Sequence, residues 1–277
     1  MKKENNNLTI FLLGIIILLL ATILIPLVTN TITFNTNKPK EEQTIEEQTE
    51  EKQEIEEKDT YKITYEKEEY TTKRSDGTES SKNTRNLPRI INPKNQSVAD
   101  KIVKYLTDVS NKEWENNIKK MADEVTELPY DDLGVTYLYE TGITTANRLT
   151  FILTMNGGFG GVGWLSEEGY NFDAKTGDIL TTDTIAINKD ELKKYMLRKT
   201  NEKIAELKKV ENNCIRDDYQ NNLEEEINRN GNWYFTQTEI KIKLQKYSIA
   251  CGAGGITEIN LPKEEVNQYL KEEYKID

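Results

Sequence analysis

The sequence predicts an α+β fold, an antiparallel sheet with packed helices, preceded by one transmembrane helix and an acidic stalk. Three observations support this prediction. An uncharged apolar run lies near the N-terminus, and an acidic repetitive segment follows it. The rest of the chain mixes stretches of two-residue and 3.6-residue hydrophobic periodicity. The 277 residues therefore divide into segments 1–7, 8–28, 29–59 and 60–277.

Residues 8–28 are predicted to form the membrane span. This run has 21 residues without a charge, and as a helix it would extend about 32 Å, the thickness of the hydrocarbon core. A cleaved secretory signal is the alternative, but the apolar run is long and no A-x-A-like site follows it. Lys2 and Lys3 place the leader, residues 1–7, in the cytoplasm. We therefore expect a single-pass protein of the cell membrane with its C-terminal part outside the cell.

Residues 29–59 are predicted to be a disordered acidic stalk. Its segment 38–59 carries ten acidic and four basic side chains in EEQT-like repeats. The isolated residues Ile45 and Ile55 offer no apolar stripe to bury, so the segment is expected to stay solvated and self-repelling. A functional acidic tail that binds a cation or a partner is the alternative.

Charge and composition narrow the function classes. The formal net charge is −11, which repels phosphate backbones and makes nucleic acid an unfavourable partner. The sequence has no histidine. This absence excludes imidazole-ligated zinc and the histidine-dependent catalytic triads and dyads. We predict no cofactor and no metal. A glycosidase-like pair of carboxylates and serine–lysine chemistry stay open, because spatial geometry defines them.

Residues 60–277 are long enough for one sizeable core or two small ones. We expect a strand at 61–70, a polar turn around Ser75 to Ser80, and one long amphipathic helix or two consecutive helices at 96–125. Asn92 and Asn95 are the candidate caps of this helical segment.

The second half of the chain is expected to alternate strands and helices. Period-two patterning at 135–180 predicts an antiparallel meander with a tight turn at Gly177. A calcium loop using Asp173 and Asp178 is the alternative for this turn. The later predicted elements are a helix at 188–210 capped by Asn188, a helical segment at 223–227, a strand at 233–244, a strand at 256–261 and a terminal helix from Pro262 through Leu270.

The segment GGFGGVG, residues 157–163, has two interpretations. Gly158, Gly160 and Gly163 match the letters of a dinucleotide-binding fingerprint, but that fingerprint needs a strand before it and a helix after it. Strand-like residues follow here, which favours a glycine-rich connection between two strands where backbones pass closely.

Two long phrases resemble a known family. They are GYNFDAKTGDILTTDTI, residues 169–185, and NWYFTQTEIKIKLQKYSIACGAGGITEINLPKEEVNQYL, residues 232–270. They resemble the extracellular domain of the lysozyme-responsive anti-sigma-V factor family, which also occurs in cell-wall polysaccharide deacetylases. The resemblance extends over roughly residues 59–277 and implies an α+β fold with helices packed on antiparallel sheet.

This chain departs from that family in three places. Family members often have a histidine in the glycine-rich connection, which is absent between Phe159 and Trp164. They usually have a proline where this chain has Cys251. The anti-sigma members also have a folded cytoplasmic segment before the membrane helix, whereas only residues 1–7 precede it here. The resemblance therefore implies the outside domain and not the sigma-factor clamp.

These observations predict a non-catalytic binding or sensing domain at the bacterial cell surface. Since lysozyme is basic and the resembled family binds it, the expected partner is lysozyme or another basic wall-directed protein, and peptidoglycan stays open. A cell-wall enzyme and a structural surface protein are the alternatives. The candidate binding residues lie in two glycine-rich segments and are Phe159, Gly160, Gly161, Trp164, Gly252 and Gly254.

Cys214 and Cys251 are the two cysteines of the sequence. An outside compartment is oxidising, and an even pair in a domain of this size usually forms a bridge, so we expect one disulfide. Two buried free thiols are the alternative.

Overall fold

The computed structural model describes residues 61–91, 93–127, 133–159, 162–211, 213–221 and 223–277. The predicted leader, membrane span and stalk lie outside these described residues. Within the described ranges, no helix combines the length and the apolar character needed to cross a bilayer.

The described chain contains eight strands and six α-helices. The strands are β1 (Lys62–Lys73), β2 (Glu79–Ile91), β3 (Leu133–Thr144), β4 (Arg148–Phe159), β5 (Val162–Asp173), β6 (Trp233–Phe235), β7 (Glu239–Leu244) and β8 (Thr257–Pro262). The α-helices are α1 (Gln96–Glu113), α2 (Lys119–Glu124), α3 (Thr182–Ile185), α4 (Lys189–Leu207), α5 (Leu223–Asn228) and α6 (Lys263–Val266). A π-helical turn, Trp114–Ile118, joins α1 to α2.

The first sheet has the strand order β1-β2-β3-β4-β5 and is mixed. The prediction of an antiparallel sheet is wrong at one pair, because β2 and β3 run parallel with Ser81 opposite Leu133. The chain between them contains α1 and α2, and such a crossover returns the chain to the same end of the sheet. The β3-β4-β5 meander is antiparallel as predicted.

The second sheet has the order β6-β7-β8 and is antiparallel throughout. The predicted single strand at 233–244 is instead a hairpin. The hydroxyl of Thr236 accepts the backbone N–H groups of Thr238 and Glu239, which closes the turn. Apolar alternation continues on both sides of this turn, and for this reason the pattern resembles one strand.

Each sheet has its own hydrophobic core. α1 packs against the first sheet through Val98, Ile102 and Leu106, which follow one another at intervals of four residues. The π turn packs against the same sheet through Trp114. Asn95 caps α1 as predicted, since its side chain accepts the N–H of Val98. The second core lies between α4 and the second sheet and includes Leu192, Met196, Ile204, Ile242, Ile259 and Leu261. Asn188 caps α4 as predicted.

Asn171 of β5 links the two sheets. Its Nδ2 donates to the carbonyl oxygen of Trp233 at 3.0 Å, and its Oδ1 accepts the N–H of Phe235 at 3.0 Å. The Gly169 N–H also donates to the carbonyl oxygen of Gly231 at 2.8 Å. The edge of the first sheet is thereby joined to β6 by one backbone pair and one side-chain amide.

The predicted terminal helix ends early. α6 stops at Val266, a 3₁₀ turn follows, and Leu270 is extended. The N–H of Ile187 donates to the carbonyl oxygen of Tyr269, and the N–H of Lys271 donates to that of Ile185. These backbone bonds draw the chain out of helical geometry. Buried Arg148 then holds the C-terminal segment by donating to the carbonyl oxygens of residues 274 and 275 at 2.8 and 3.0 Å.

Candidate binding site

The β4–β5 hairpin carries the first predicted binding segment. Its register places Gly157 opposite Trp164. A Cβ atom on Gly157 would lie 2.9 Å from the indole of Trp164 and 2.9 Å from the carbonyl oxygen of Gly134. A glycine is needed here because the indole lies directly against this backbone. Gly157 therefore positions Trp164, which is half-buried.

The second predicted segment belongs to the bend between β7 and β8, residues 245–256. Tyr247 has φ = 72°, in the left-handed region that residues other than glycine rarely adopt, and its side chain is 59% exposed. A Cβ on Gly252 would overlap the ring and hydroxyl of Tyr247. The hydroxyl of Ser248 donates to the carbonyl oxygen of Gln245 at 2.7 Å and helps to close the turn. Backbone strain beneath an exposed aromatic side chain is typical of functional surfaces.

Two side chains connect the bend to the hairpin. Nζ of Lys246 donates to the carbonyl oxygen of Gly163 at 3.0 Å. The side-chain amide of Gln245 donates to the Glu167 carbonyl oxygen at 2.6 Å and accepts the Glu167 N–H at 3.2 Å. Gln245 thus pairs with β5 much as a neighbouring strand would. The two predicted segments are held together as one surface.

The predicted disulfide between Cys214 and Cys251 is confirmed, with a Cα–Cα distance of 5.4 Å. The N–H of Cys251 also donates to the carbonyl oxygen of Cys214 at 3.0 Å. A Cβ on Gly254 would lie 3.4 Å from the sulfur of Cys214. The bridge therefore fastens the bend to the chain that follows α4.

Two cavities flank the bend and share Ile256 as a wall. The loop cleft, of about 250 Å³, lies between the hairpin and the bend, and Asn156, Trp164, Leu165, Lys246, Gly252 and Ile256 line it. The edge groove, of about 510 Å³, lies on the disulfide side, and its lining includes Leu207, Val210, Cys214, Gly254, Ile256 and Glu258.

The structure brings only some of the predicted binding residues together. Trp164 and Gly252, which are far apart in the sequence, meet in the loop cleft. Gly254 lines the edge groove instead, and Phe159 packs partly against the first core. Gly160 and Gly161 lie outside the described residues.

Sequence reasoning missed several residues of this surface, among them Asn156, Lys246 and Tyr247. Asn156 lies directly before the glycine-rich segment, and the other two lie shortly before the glycine-rich bend. Proximity to those segments is the one signal that could have found them. A positive φ at a tyrosine has no sequence signature.

A charged network lies beside the hairpin. Nζ of Lys243 is 2.8 Å from Glu167 and 2.6 Å from Glu258, and the Tyr234 hydroxyl donates to Glu167 at 2.6 Å. Burial opposes charge on Lys243, but its hydrogen bonds to both carboxylates outweigh that effect and raise the pKa of the ammonium group. Burial likewise opposes charge on Glu258, and hydrogen bonds from Lys243 and Lys241 outweigh it, so the pKa of its carboxyl is lowered. Lys243 and Glu258 are thus held in their charged forms near neutral pH.

The two motifs with an alternative functional interpretation, at residues 157–163 and 173–178, both have structural explanations. Gly158 and Gly163 face each other within an antiparallel hairpin, so the segment is a strand connection and the dinucleotide-binding interpretation is wrong. In the 173–178 turn, Asp173 accepts the N–H groups of residues 175 and 176, and Asp178 pairs with Lys101 at 2.6 Å. Across the described ranges, no three His, Cys, Asp or Glu side chains gather as metal ligands would.

Comparison with known proteins finds one family model that matches part of the chain. Residues 177–264 match the family model described as a protein of unknown function, DUF3298. This region contains the second sheet, the bend and both cysteines, but the β4–β5 hairpin precedes it. No curated protein sequence matches the chain.

Two solved structures share the fold. A DUF3298 family member from Bacteroides fragilis is 16% identical with a TM-score of 0.50, and the match covers 77% of this chain and 94% of that one. A DUF3298 family protein from Pseudomonas aeruginosa is 13% identical with a TM-score of 0.50, and the match covers 77% and 95%. At these identities the comparison shows the fold alone.

Proposed function

We propose that this chain is a single-pass membrane protein whose outside domain binds a basic wall-directed protein, such as lysozyme, through the loop cleft. One observation carries this proposal. The structure gathers Trp164, Lys246 and Gly252, from two glycine-rich segments remote in sequence, around one cavity. Leu165 and Tyr247 stand exposed at that surface, at 46% and 59%. Exposed aromatic and apolar side chains on braced loops are typical of protein-binding surfaces.

Charge supports a basic partner. Residues 60–277 have a net charge of −6, and the stalk segment 38–59 adds another −6. The electrostatic field of this negative charge increases the association rate with a cationic protein, and salt weakens the effect. The phrases at residues 169–185 and 232–270, which resemble lysozyme-responsive proteins, also support this choice of partner. In this role the chain would act as a decoy or as the sensing half of a complex.

Calorimetry tests the proposal. The full chain in lipid nanodiscs is titrated with lysozyme at low salt and again at high salt. We expect saturable heat at micromolar concentrations, weaker at high salt. Absence of heat at low salt would refute capture of lysozyme.

Matched variants locate the contact. Trp164→Ala should weaken binding about tenfold or more, because aromatic anchors dominate such interfaces. Ile187→Ala is the control, since Ile187 is an apolar side chain, 66% exposed, outside the loop cleft. Equal affinity of the two variants would place the contact elsewhere.

A further inference from the structure

The free edge of β8 is the second feature of this domain that points to a partner. β8 is the terminal strand of the second sheet, with β7 on one side and the edge groove on the other. An edge strand presents backbone donors and acceptors that can pair with another chain. Which peptide groups point outward follows from the hydrogen bonds of β7.

The orientation of the β7 peptide groups is determined by two bonds. The N–H of Lys243 donates to the carbonyl oxygen of Asn232, and the carbonyl oxygen of Glu239 accepts the N–H of Thr236. The odd-numbered residues of β7 therefore direct their peptide groups toward β6. Since directions alternate along a strand, the even-numbered residues pair with Thr257, Ile259 and Leu261 of β8.

Glu258 and Asn260 consequently direct their peptide groups away from β7. Within the described part of the chain, no backbone or side-chain hydrogen bond reaches these outward N–H and C=O groups. Both residues line the edge groove, and Asn260 is exposed. The groove thus runs along an unpaired strand edge that offers two donors and two acceptors.

The two faces of this edge differ in chemistry. On the α4 side, the groove wall includes the apolar side chains Leu207 and Val210, the latter 59% exposed, together with Lys203. On the opposite face, Glu258 belongs to the charged network. That network also contains Lys241, Lys243, Glu167 and Glu239, so three carboxylates face two ammonium groups. The network as a whole therefore has one unbalanced negative charge, which favours a cation on this face of the sheet.

We propose that the β8 edge binds an extended peptide segment as an added strand, with apolar side chains toward α4 and basic side chains toward Glu258. Strand addition obtains affinity from main-chain hydrogen bonds and specificity from alternate side chains. This proposal stands on the strand edge and its charge, and it does not depend on the loop cleft or on lysozyme.

The sequence of β7 supplies a suitable probe. Residues 238–245, TEIKIKLQ, alternate apolar and basic side chains, and β7 already pairs with β8 on its other edge. A fluorescently labelled peptide of this sequence is titrated against the full chain in nanodiscs. We expect saturable binding that weakens about fivefold or more when both lysines of the peptide are replaced by glutamate. Absence of saturable binding by the basic peptide would overturn the proposal.

Two substitutions at one position separate the backbone from the side chain. Asn260→Pro removes an outward N–H without touching the ladder to β7, and proline is tolerated on edge strands. It should weaken peptide binding about tenfold, whereas Asn260→Ala keeps the N–H and should change binding less than about twofold. Equal affinities would contradict strand addition. Trp164→Ala, which alters the loop cleft, should leave peptide binding unchanged.

Amide hydrogen exchange of the unmodified chain provides a measurement that needs no variant. The N–H groups of Glu258 and Asn260 should exchange quickly in the free protein and slowly with the peptide. If these N–H groups exchange slowly without peptide, and their exchange rate depends on protein concentration, the β8 edge is paired with a second copy of the chain. Slow exchange independent of concentration would assign it to another part of the same chain. Either result would overturn the proposal.

Discussion

At the scale of single residues, Gly169 shows how closely the two sheets approach. A Cβ at this buried position would overlap the Cβ and ring of Tyr234. The Gly169 backbone is also hydrogen-bonded to Gly231. We predict that Gly169→Ala lowers the free energy of unfolding by about 1–3 kcal/mol, because the neighbours must shift. Urea denaturation measures this change. Gly134→Ala is the control, since its Cβ would meet nothing within 4 Å. Equal losses in both variants would contradict the steric argument.

The carboxyl of Glu258 gives a pH-dependent prediction. Its pKa is lowered in the folded state below the ordinary value of 4.5. The folded state therefore binds fewer protons here than the unfolded chain, and the resulting stability is present above about pH 4.5. This contribution is lost as the pH falls through the lowered pKa. We expect Glu258→Gln to reduce stability at pH 7 and to lessen its dependence on pH between about 5 and 3. Urea midpoints across that range test this, and parallel pH profiles of variant and parent would contradict it.

At the scale of elements, the disulfide holds the bend between β7 and β8 in place. It closes a sequence separation of 37 residues, which corresponds to about 4 kcal/mol of stability in the chain-entropy model. We predict that replacing both Cys214 and Cys251 by serine lowers the free energy of unfolding by about 2–4 kcal/mol. Urea denaturation with and without a reductant measures it. The reductant should reproduce the loss in the parent protein and leave the double variant unchanged.

Tryptophan quenching reports on the bend itself. Trp114 and Trp233 are buried, whereas Trp164 is half-buried at the loop cleft. We expect acrylamide to quench the tryptophan fluorescence of the double cysteine variant more strongly than that of the parent. The reason is that the bend, which contains Lys246 and Gly252, would pack less firmly against the hairpin. Identical quenching would show that the bend keeps its position without the bridge.

At the scale of the whole molecule, the proposed topology places residues 30–277 outside the cell, anchored by residues 8–28. Protease added to intact protoplasts should then digest the domain while a cytosolic protein stays intact. Immunoblotting with an antibody against the C-terminal domain provides the readout. A domain protected together with the cytosolic control, or a mature N-terminus after Thr29, would contradict the single-pass arrangement.

The sequence predicted the local elements well where periodicity and caps were strong. The α1 and α4 segments, with Asn95 and Asn188 as caps, were predicted correctly. So were the β3-β4-β5 meander and the tight turn at Gly177. β2 was missed, because the side chains that it buries include the polar residues Ser81, Asn83 and Arg85. An apolar pattern cannot reveal a strand whose inward face is polar.

What the sequence by itself determined is therefore the class of fold and the glycine-rich segments, since each depends on local pattern or on composition. The sequence led us to expect a bridge between the two cysteines, and the structure showed that they are paired. Tertiary structure alone decided the parallel pairing of β2 with β3 and the meeting of Trp164 with Gly252. It also decided the outward direction of the peptide groups of Asn260. These features depend on contacts between residues remote in the chain, and hydrophobic periodicity reports only on neighbours within a few residues.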